Sequence, residues 1–318
     1  MARKLSFINY KGGVGKTSLI VNVGASLAEV GQRVLIVDLD VQSNSSLWLL
    51  RFERWNPLVE KNEGHIYSTF EPGVARLSDC IVRDVVRNKE SGKQLPGLDL
   101  LPTTFSLIDL EEDYKPANGL PAYVQFQEQI AEIEDDYDYI LFDCPPNILS
   151  ASSCGIFSCN EIFVPSNPDA LSLIGFTLLV EKLKLFFEAS ASYRVAGMDP
   201  AAQVRGVIFN SIKNKVDISS SIMRVQVRIN QFKGKGVVAQ DARIFNTKIR
   251  DEVIVPRSVT LGLPVCLIGD YERENTVRDD YRAVMKEIMN IPPLEGIPNG
   301  GKQPSEMGSS HESPVSPL

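Results

Sequence analysis

The chain has 318 residues, 43% hydrophobic and 23% charged, with a net charge of −7. That balance supports a well-buried core in one large or two small domains. It excludes a membrane-spanning chain, since no run approaches the roughly 18 apolar residues a transmembrane helix needs. The opening MARKLSFIN lacks the apolar stretch and cleavage pattern of a secretory signal. Five scattered cysteines, Cys80, Cys144, Cys154, Cys159 and Cys266, form no C-x-x-C pair and fit a reducing cytoplasm.

In chain order, Lys4–Asn9 reads as a short strand, followed by glycines and a helical pattern from Thr17 to about Val30 that Gly31 stops. Arg33–Val37 is apolar and rich in β-branched residues, as a strand buried on both faces requires. The stretch from Leu47 to about Pro96 is less regular and reads as an insertion. Strands are expected at Leu98–Leu101, Tyr139–Phe142, Glu161–Pro165 and Val204–Phe209, and helices at Ala122–Glu134 and Leu171–Ala191. Alternation of this kind predicts an α/β fold, a mostly parallel twisted sheet with helices on both faces.

The charge is unevenly spread. Ser211–Arg250 holds nine Lys or Arg against two Asp, a net +7, which leaves −14 for the rest of the chain. Such asymmetry suits a polyanion-facing patch, and a solvated basic face without a partner would give the same count. Within it, Lys233-Gly-Lys-Gly236 reads as a mobile loop. After Ile291 the chain turns rich in Pro, Gly and Ser, which predicts a folded unit over 1–291 and a disordered tail over 292–318.

The chemistry sits in NYKGGVGKTS, from Asn9 to Ser18. A standard phosphate loop, G-x-x-x-x-G-K-S/T, fails at its first position, where Tyr10 stands. The residues present read K-G-G-V-G-K-T/S, with an additional Lys11. A strand-to-helix loop presents unpaired N–H groups and the positive end of the helix dipole to an anion. Gly12, Gly13 and Gly15 let the backbone wrap phosphates. Lys16 supplies charge to the β- and γ-phosphates, and the Thr17 hydroxyl can ligate Mg2+.

This deviant Walker A sequence resembles the ParA/MinD family of P-loop ATPases, and the resemblance runs through most of residues 1–290. VDLDVQSNSS resembles the family's D-x-D-P-Q-x-N, with Val41 in place of the usual proline, which puts the stiffness of that segment in question. YILFDCPPN resembles the Walker B strand and the start of the second switch. The resemblance implies that Lys11, Gly12, Gly13, Val14, Gly15, Lys16, Thr17 and Ser18 bind ATP. It implies Asn210 at the adenine edge and Pro256 beside the base. Thr17, Asp38 and Asp143 would hold Mg2+, Asp38 through its water shell. Asp40 would orient or deprotonate the attacking water, and Lys11 would reach across a homodimer that sandwiches two ATP.

A ParA-like reading further implies non-specific DNA binding by the ATP-bound dimer, with Arg224, Arg228, Lys233 and Lys235 as candidate phosphate contacts. It implies a ParB-like or other stimulating partner, a cargo to be positioned, and a cytoplasmic, nucleoid-associated protein. With the loop at residue 11, no N-terminal helix-turn-helix domain is expected. The alternative is a MinD-like membrane cycler, which needs a basic amphipathic C-terminal helix, whereas the residues from Pro292 onward hold only Lys302. Cys154 and Cys159 raise an iron–sulfur carrier as a third class, but their spacing suits no cluster pattern.

Overall fold

The computed structural model describes residues 1–87, 92–112, 114, 119–213, 216–268 and 276–294, with the backbone alone at 170–173. In chain order the elements are β1 (Arg3–Phe7), α1 (Lys16–Glu29), β2 (Val34–Asp38), α2 (Asn44–Lys61), α3 (Leu77–Cys80), β3 (Val86–Arg87), β4 (Gln94–Leu95), β5 (Leu98–Leu101), α4 (Asp109–Glu112), α5 (Ala122–Ile133), β6 (Tyr139–Asp143), α6 (Ser150–Ser158), β7 (Glu161–Ser166), α7 (Ala170–Ser190), β8 (Gln203–Phe209), α8 (Ser219–Phe232), β9 (Val238–Ile244), α9 (Ile254–Leu261) and α10 (Val277–Met289). Seven strands form one parallel sheet in the order β5-β2-β6-β1-β7-β8-β9, and β3 pairs with β4 in a separate antiparallel hairpin.

Alternate side chains of one strand serve two cores. Along β6, Tyr139 and Leu141 join the core under α1, α2 and α10, while Ile140 and Phe142 join the core under α5, α6 and α7. Both faces are covered, which is why the central strands are apolar throughout rather than alternating. Helix α1 lies close on its face because a Cβ at Gly24 would sit only 3.2 Å from Ile36 Cδ1 and Leu141 Cδ1. Helix α10 is locked at its start by a capping box between Thr276 and Asp279. It is tied to α1 by Arg282, whose Nη2 donates to Glu29 Oε1 at 2.6 Å.

One stretch differs from the sequence expectation, and a second receives elements that the sequence left unassigned. The irregular region from Leu47 begins with α2, a long helix broken at Arg51 (φ 58°) and carrying Pro57. Proline and the left-handed residue hide the helical period in sequence, while packing restores the element: Trp48 Nε1 donates to Leu263 O at 3.2 Å and Trp55 Nε1 to Thr103 O at 2.8 Å. The basic segment holds two ordered elements on either side of the Lys233–Gly236 loop that the sequence marks. It contains α8, with Val225 and Ile229 buried one turn apart, and β9, an edge strand whose exposed Gln240, Asp241 and Arg243 break the apolar run. Residues 233–237 form the turn between α8 and β9. Residues 295–318 of the predicted tail, and Lys215, lie outside the described residues.

Helix α6 is buried on all sides and depends on Gly155 for its approach to the sheet. A Cβ there would lie 2.7 Å from Leu39 Cδ1, 2.9 Å from Cys144 Sγ and 3.2 Å from Phe142 Cβ. Gly155→Ala therefore overpacks a rigid core, and we expect it to cost about 1–3 kcal/mol despite alanine's better helix propensity. Urea denaturation should show a lower midpoint at unchanged slope; an unchanged or higher midpoint would mean the core yields at no cost.

Candidate nucleotide site

The strands end in one row of polar residues, and the site is built on that carboxyl edge, where open parallel sheets place their ligands. β1 runs into the glycine loop, which turns through Gly13 (φ 72°) and Gly15 (φ 75°) into the first residue of α1, Lys16. These left-handed positions favour glycine. A Cβ on Gly12 or Gly13 would meet nothing within 4 Å, so both face the open side where phosphates would lie. Leu19 N bonds Gly15 O at 3.0 Å, the first helical bond of α1, and the N–H groups ahead of it form the helix end that would suit an anion. Lys16 is buried to 8% exposure, and Val14 is fully buried beneath the loop. Ser18 O accepts from Asn22 Nδ2 at 2.8 Å, inside the helix.

The acidic cluster is set by sheet register. Asp38, the last residue of β2, is the register partner of Asp143, the last residue of β6. Both are fully buried. Asp38 Oδ2 accepts from Ser46 N at 2.9 Å and Ser46 Oγ at 2.7 Å, and its Oδ1 accepts from Asp40 N at 3.2 Å. Asp143 Oδ2 accepts from Ser45 Oγ at 2.5 Å, while its Oδ1 is buried without a partner. Burial pushes the Asp143 carboxyl up to about 6, against the opposing pull of the Ser45 and Thr17 hydroxyls and the Lys16 charge. Burial and the Asp143 carboxylate beside it hold Asp38 well above the carboxylate range.

Two buried carboxylates side by side, one with an unsatisfied oxygen and a threonine hydroxyl against it, are a donor set suited to a cation. Oxygen donors few in number fit Mg2+, which keeps several waters and takes further oxygens from substrate phosphates. The residues therefore fit the ion: Thr17, Asp38 and Asp143 would hold it, and it would neutralise phosphate charge.

Asp40 lies at the rim of this cluster, 7% exposed, with Oδ1 accepting from Gln42 N at 3.0 Å, a turn closed also by Ser43 N to Asp40 O at 2.7 Å. The turn forms with Val41 in the usual proline position. Lys11 is ion-paired with Asp169, just beyond β7, and its backbone N donates to Asn9 Oδ1 at 3.0 Å. Asn210 packs against the loop itself: Nδ2 donates to Val14 O at 3.1 Å and Gly15 O at 3.2 Å. Pro256 stands exposed in the first turn of α9, where a missing N–H costs no helical bond. Arg224, Arg228 and Lys235 are exposed and Lys233 half-buried, on α8 and the turn after it, away from the acidic cluster in sequence and on another element. Arg228 Nη1 donates to Gln231 Oε1 at 2.9 Å, and Lys235 sits 6.0 Å from the Phe232 ring centre. Cys154 and Cys159 are core residues whose thiols burial makes harder to ionise, the opposite of what a thiolate ligand needs.

Sequence reading missed Ser45, Ser46 and Asp169. The two serines lie inside the quoted VDLDVQSNSS, and Asp169 in VPSNPDALSLIG, yet only the fold shows which carboxylate or lysine each meets. It also missed Glu111 of α4, whose carboxylate accepts from Ser150 N at 2.8 Å and Ala151 N at 3.0 Å and so caps α6 from another element. No local spacing signals a cap supplied from so far away.

The AAA domain family matches residues 2–194. The chromosome-partitioning ATPase Soj of Treponema pallidum is 28% identical over 293 residues, covering 91% of this chain and 98% of that protein. Among solved structures, an ATP complex of Cyanothece McdA superposes with a TM-score of 0.65 at 17% identity, covering 92% of this chain and 98% of its own. The Mg-ADP complex of Pyrococcus horikoshii MinD gives 0.60 at 20% identity, with 91% and 96% covered. No helix among the described residues is long and apolar enough to cross a membrane. Family match, near full-length relatives, parallel-sheet fold and phosphate-loop geometry agree: the chain belongs to the AAA domain family and is a ParA-like P-loop ATPase.

Proposed function

We propose that this chain is a partition or positioning ATPase that works as a nucleotide-bound homodimer on non-specific DNA. Two copies enclose two Mg-ATP, Lys11 leaves Asp169 for the partner's phosphates, and Asp40 orients the attacking water. The exposed face of α8 meets DNA phosphates through Arg224 and Arg228, with Lys233 and Lys235 on the following turn. A ParB-like or other partner stimulates hydrolysis and releases the dimer, so that cycling on the nucleoid moves or spaces a cargo. The observation that carries the reading is the combination of the glycine loop, the buried Asp38–Asp143 pair with its unpartnered oxygen, and an additional lysine at the rim. The names of the relatives, chromosome-partitioning Soj among them, support the same reading.

The test is binding to random-sequence DNA with ADP or ATP, using Asp40→Ala to hold the ATP state. We expect binding only with ATP, a steep loss with salt, and a loss of about 10-fold or more when Arg224 and Arg228 are both reversed to Glu. Binding to anionic vesicles with indifference to DNA in every state would replace this reading by membrane cycling.

A further inference from the structure

Helix α2 is two helical pieces. Arg51, with φ 58° and ψ 167°, stands in a backbone region that residues with a side chain rarely enter, and it divides 44–50 from 52–61. The chain has two tryptophans, Trp48 and Trp55, and each piece buries one of them. The second piece is anchored on other elements: Arg54 Nη1 donates to Val85 O, ahead of β3, at 2.8 Å, and Trp55 Nε1 to Thr103 O, beyond β5, at 2.8 Å. The first piece begins at the acidic cluster, where Ser45 Oγ donates to Asp143 and Ser46 N and Oγ donate to Asp38. Two residues on, Trp48 Nε1 donates to Leu263 O at 3.2 Å, just beyond α9. The packing there is close. Gly262 is left-handed (φ 65°), and a Cβ on it would lie 2.6 Å from Arg51 Cγ and 3.3 Å from Trp48 O. On the other side Val265 N donates to Asn22 Oδ1 of α1 at 2.8 Å. Residues 262–265 therefore sit between the helix that leaves the phosphate loop and the helix that leaves the Asp38 segment.

We infer that Trp48 is a positioning residue that links occupancy of the Asp38–Asp143 site to the placement of α9, with Arg51 as the joint that frees the linked piece of α2 from the anchored one. An indole N–H only donates. Parting from Leu263 O would leave it buried and unpaired in an apolar core, so Trp48 and the end of α9 move together. Ser45 and Ser46 follow the carboxylates for the same reason, since each hydroxyl donates to one of them. A regular helix through residue 51 would bind this unit rigidly to Trp55, and the break removes that constraint. The two pieces meet at Thr103, whose N donates to Ser46 Oγ at 2.9 Å while its O accepts from Trp55. The carboxylates that suit Mg2+ are thereby tied to α9, which carries Pro256. This rests on the nucleotide reading, with Pro256 beside the base, and adds to it a link between the metal end of the nucleotide and its base end.

The test follows the two indole N–H resonances of the full chain, assigned with Trp48→Phe or Trp55→Phe, in Mg-ADP and in ADP with a chelator. The diphosphate is used so that the response does not depend on the ATP-bound dimer. We expect the Trp48 resonance to shift with Mg-ADP and to stay at its ligand-free position without Mg2+, while the Trp55 resonance holds in both. Calorimetric titration of Trp48→Phe then asks whether α9 is reached. The tightening of ADP binding by Mg2+ should fall by about 2–10-fold, the range that one neutral hydrogen bond sets, whereas Mg-pyrophosphate, which has no base, should bind as it does to the parent. Both indoles shifting alike, or a Trp48 resonance that ignores Mg2+, would overturn the inference. So would an equal loss for ADP and pyrophosphate, which is what a merely loosened core gives. Should Trp48→Phe not fold, the resonances of the unaltered protein still decide. If the unaltered protein binds neither Mg-ADP nor Mg-pyrophosphate, it is the nucleotide reading itself that fails.

Discussion

Lys16→Ala is expected to lower Mg-ATP affinity by about 100-fold or more. Lys16 opens α1, is 8% exposed, and its charge bears on the buried Asp143 carboxyl. A charge-assisted hydrogen bond to phosphate is worth about 1.5–3 kcal/mol, and here the lysine joins a helix N-terminus aimed at the same anion, so the effect lies at or above the upper end. Calorimetric titration with Mg-ATP reads the loss. Circular dichroism of the nucleotide-free variant should stay native, because the β1–α1 turn is fixed by Gly13, Gly15 and the Asn210 amide rather than by the lysine. Unchanged affinity would remove Lys16 from the site.

The second large effect is a gain. Asp143→Asn should stabilise the metal-free protein at neutral pH by about 1–3 kcal/mol while removing the dependence of ATP binding on Mg2+. The buried Asp143 carboxyl titrates at about 6 in the fold against 3.8 for the free group. Between those values the folded state binds more protons than the unfolded one, so stability falls as pH rises from about 4 through 6 and stays reduced above. Asp38 is shifted in the same direction by the same burial and by Asp143 itself. Asparagine keeps an acceptor for Ser45, removes one buried charge, and relieves Asp38 of its neighbour. Denaturant midpoints of the metal-free protein between pH 4 and 7.5 should therefore decline for the parent and much less for the variant. A variant less stable than the parent at pH 7.5 would mean that the carboxylate is compensated by contacts other than a metal ion.

The reverse sign in the presence of Mg-ATP follows from the same groups. Mg2+ held by Thr17, Asp38 and Asp143 would offset the repulsion of the two carboxylates, so the parent should gain stability from Mg-ATP that the variant cannot gain.

By itself the sequence determined the parts whose physics is local. The glycine loop, its lysines and Thr17 lie within one strand-turn-helix, so their spacing alone specifies an anion cradle. The central strands are legible because burial on two faces demands unbroken apolar runs, and Asp38 and Asp143 stand out as acids that end such runs. The tertiary structure decided what depends on register and on distant segments. Parallel pairing of β2 with β6 makes Asp38 and Asp143 neighbours across 105 residues of chain. Packing of Trp48 and Trp55 holds helix on both sides of the break at Arg51, the second part carrying Pro57, where local propensity opposes one. Edge position makes β9 a strand despite its polar residues, because only one of its sides needs covering. Register also brings together the buried charges at the amino ends of β1, β7 and β8: Arg3 Nε donates to Glu161 Oε1 at 2.5 Å and Arg205 lies 3.0 Å from Glu161 Oε2, so residues that look misplaced in apolar strands offset one another's charge. Asn210 shows the limit most directly, since its residue type and strand-end position are visible in sequence, but the carbonyls it holds lie nearly 200 residues away and only the folded sheet brings them within a hydrogen bond.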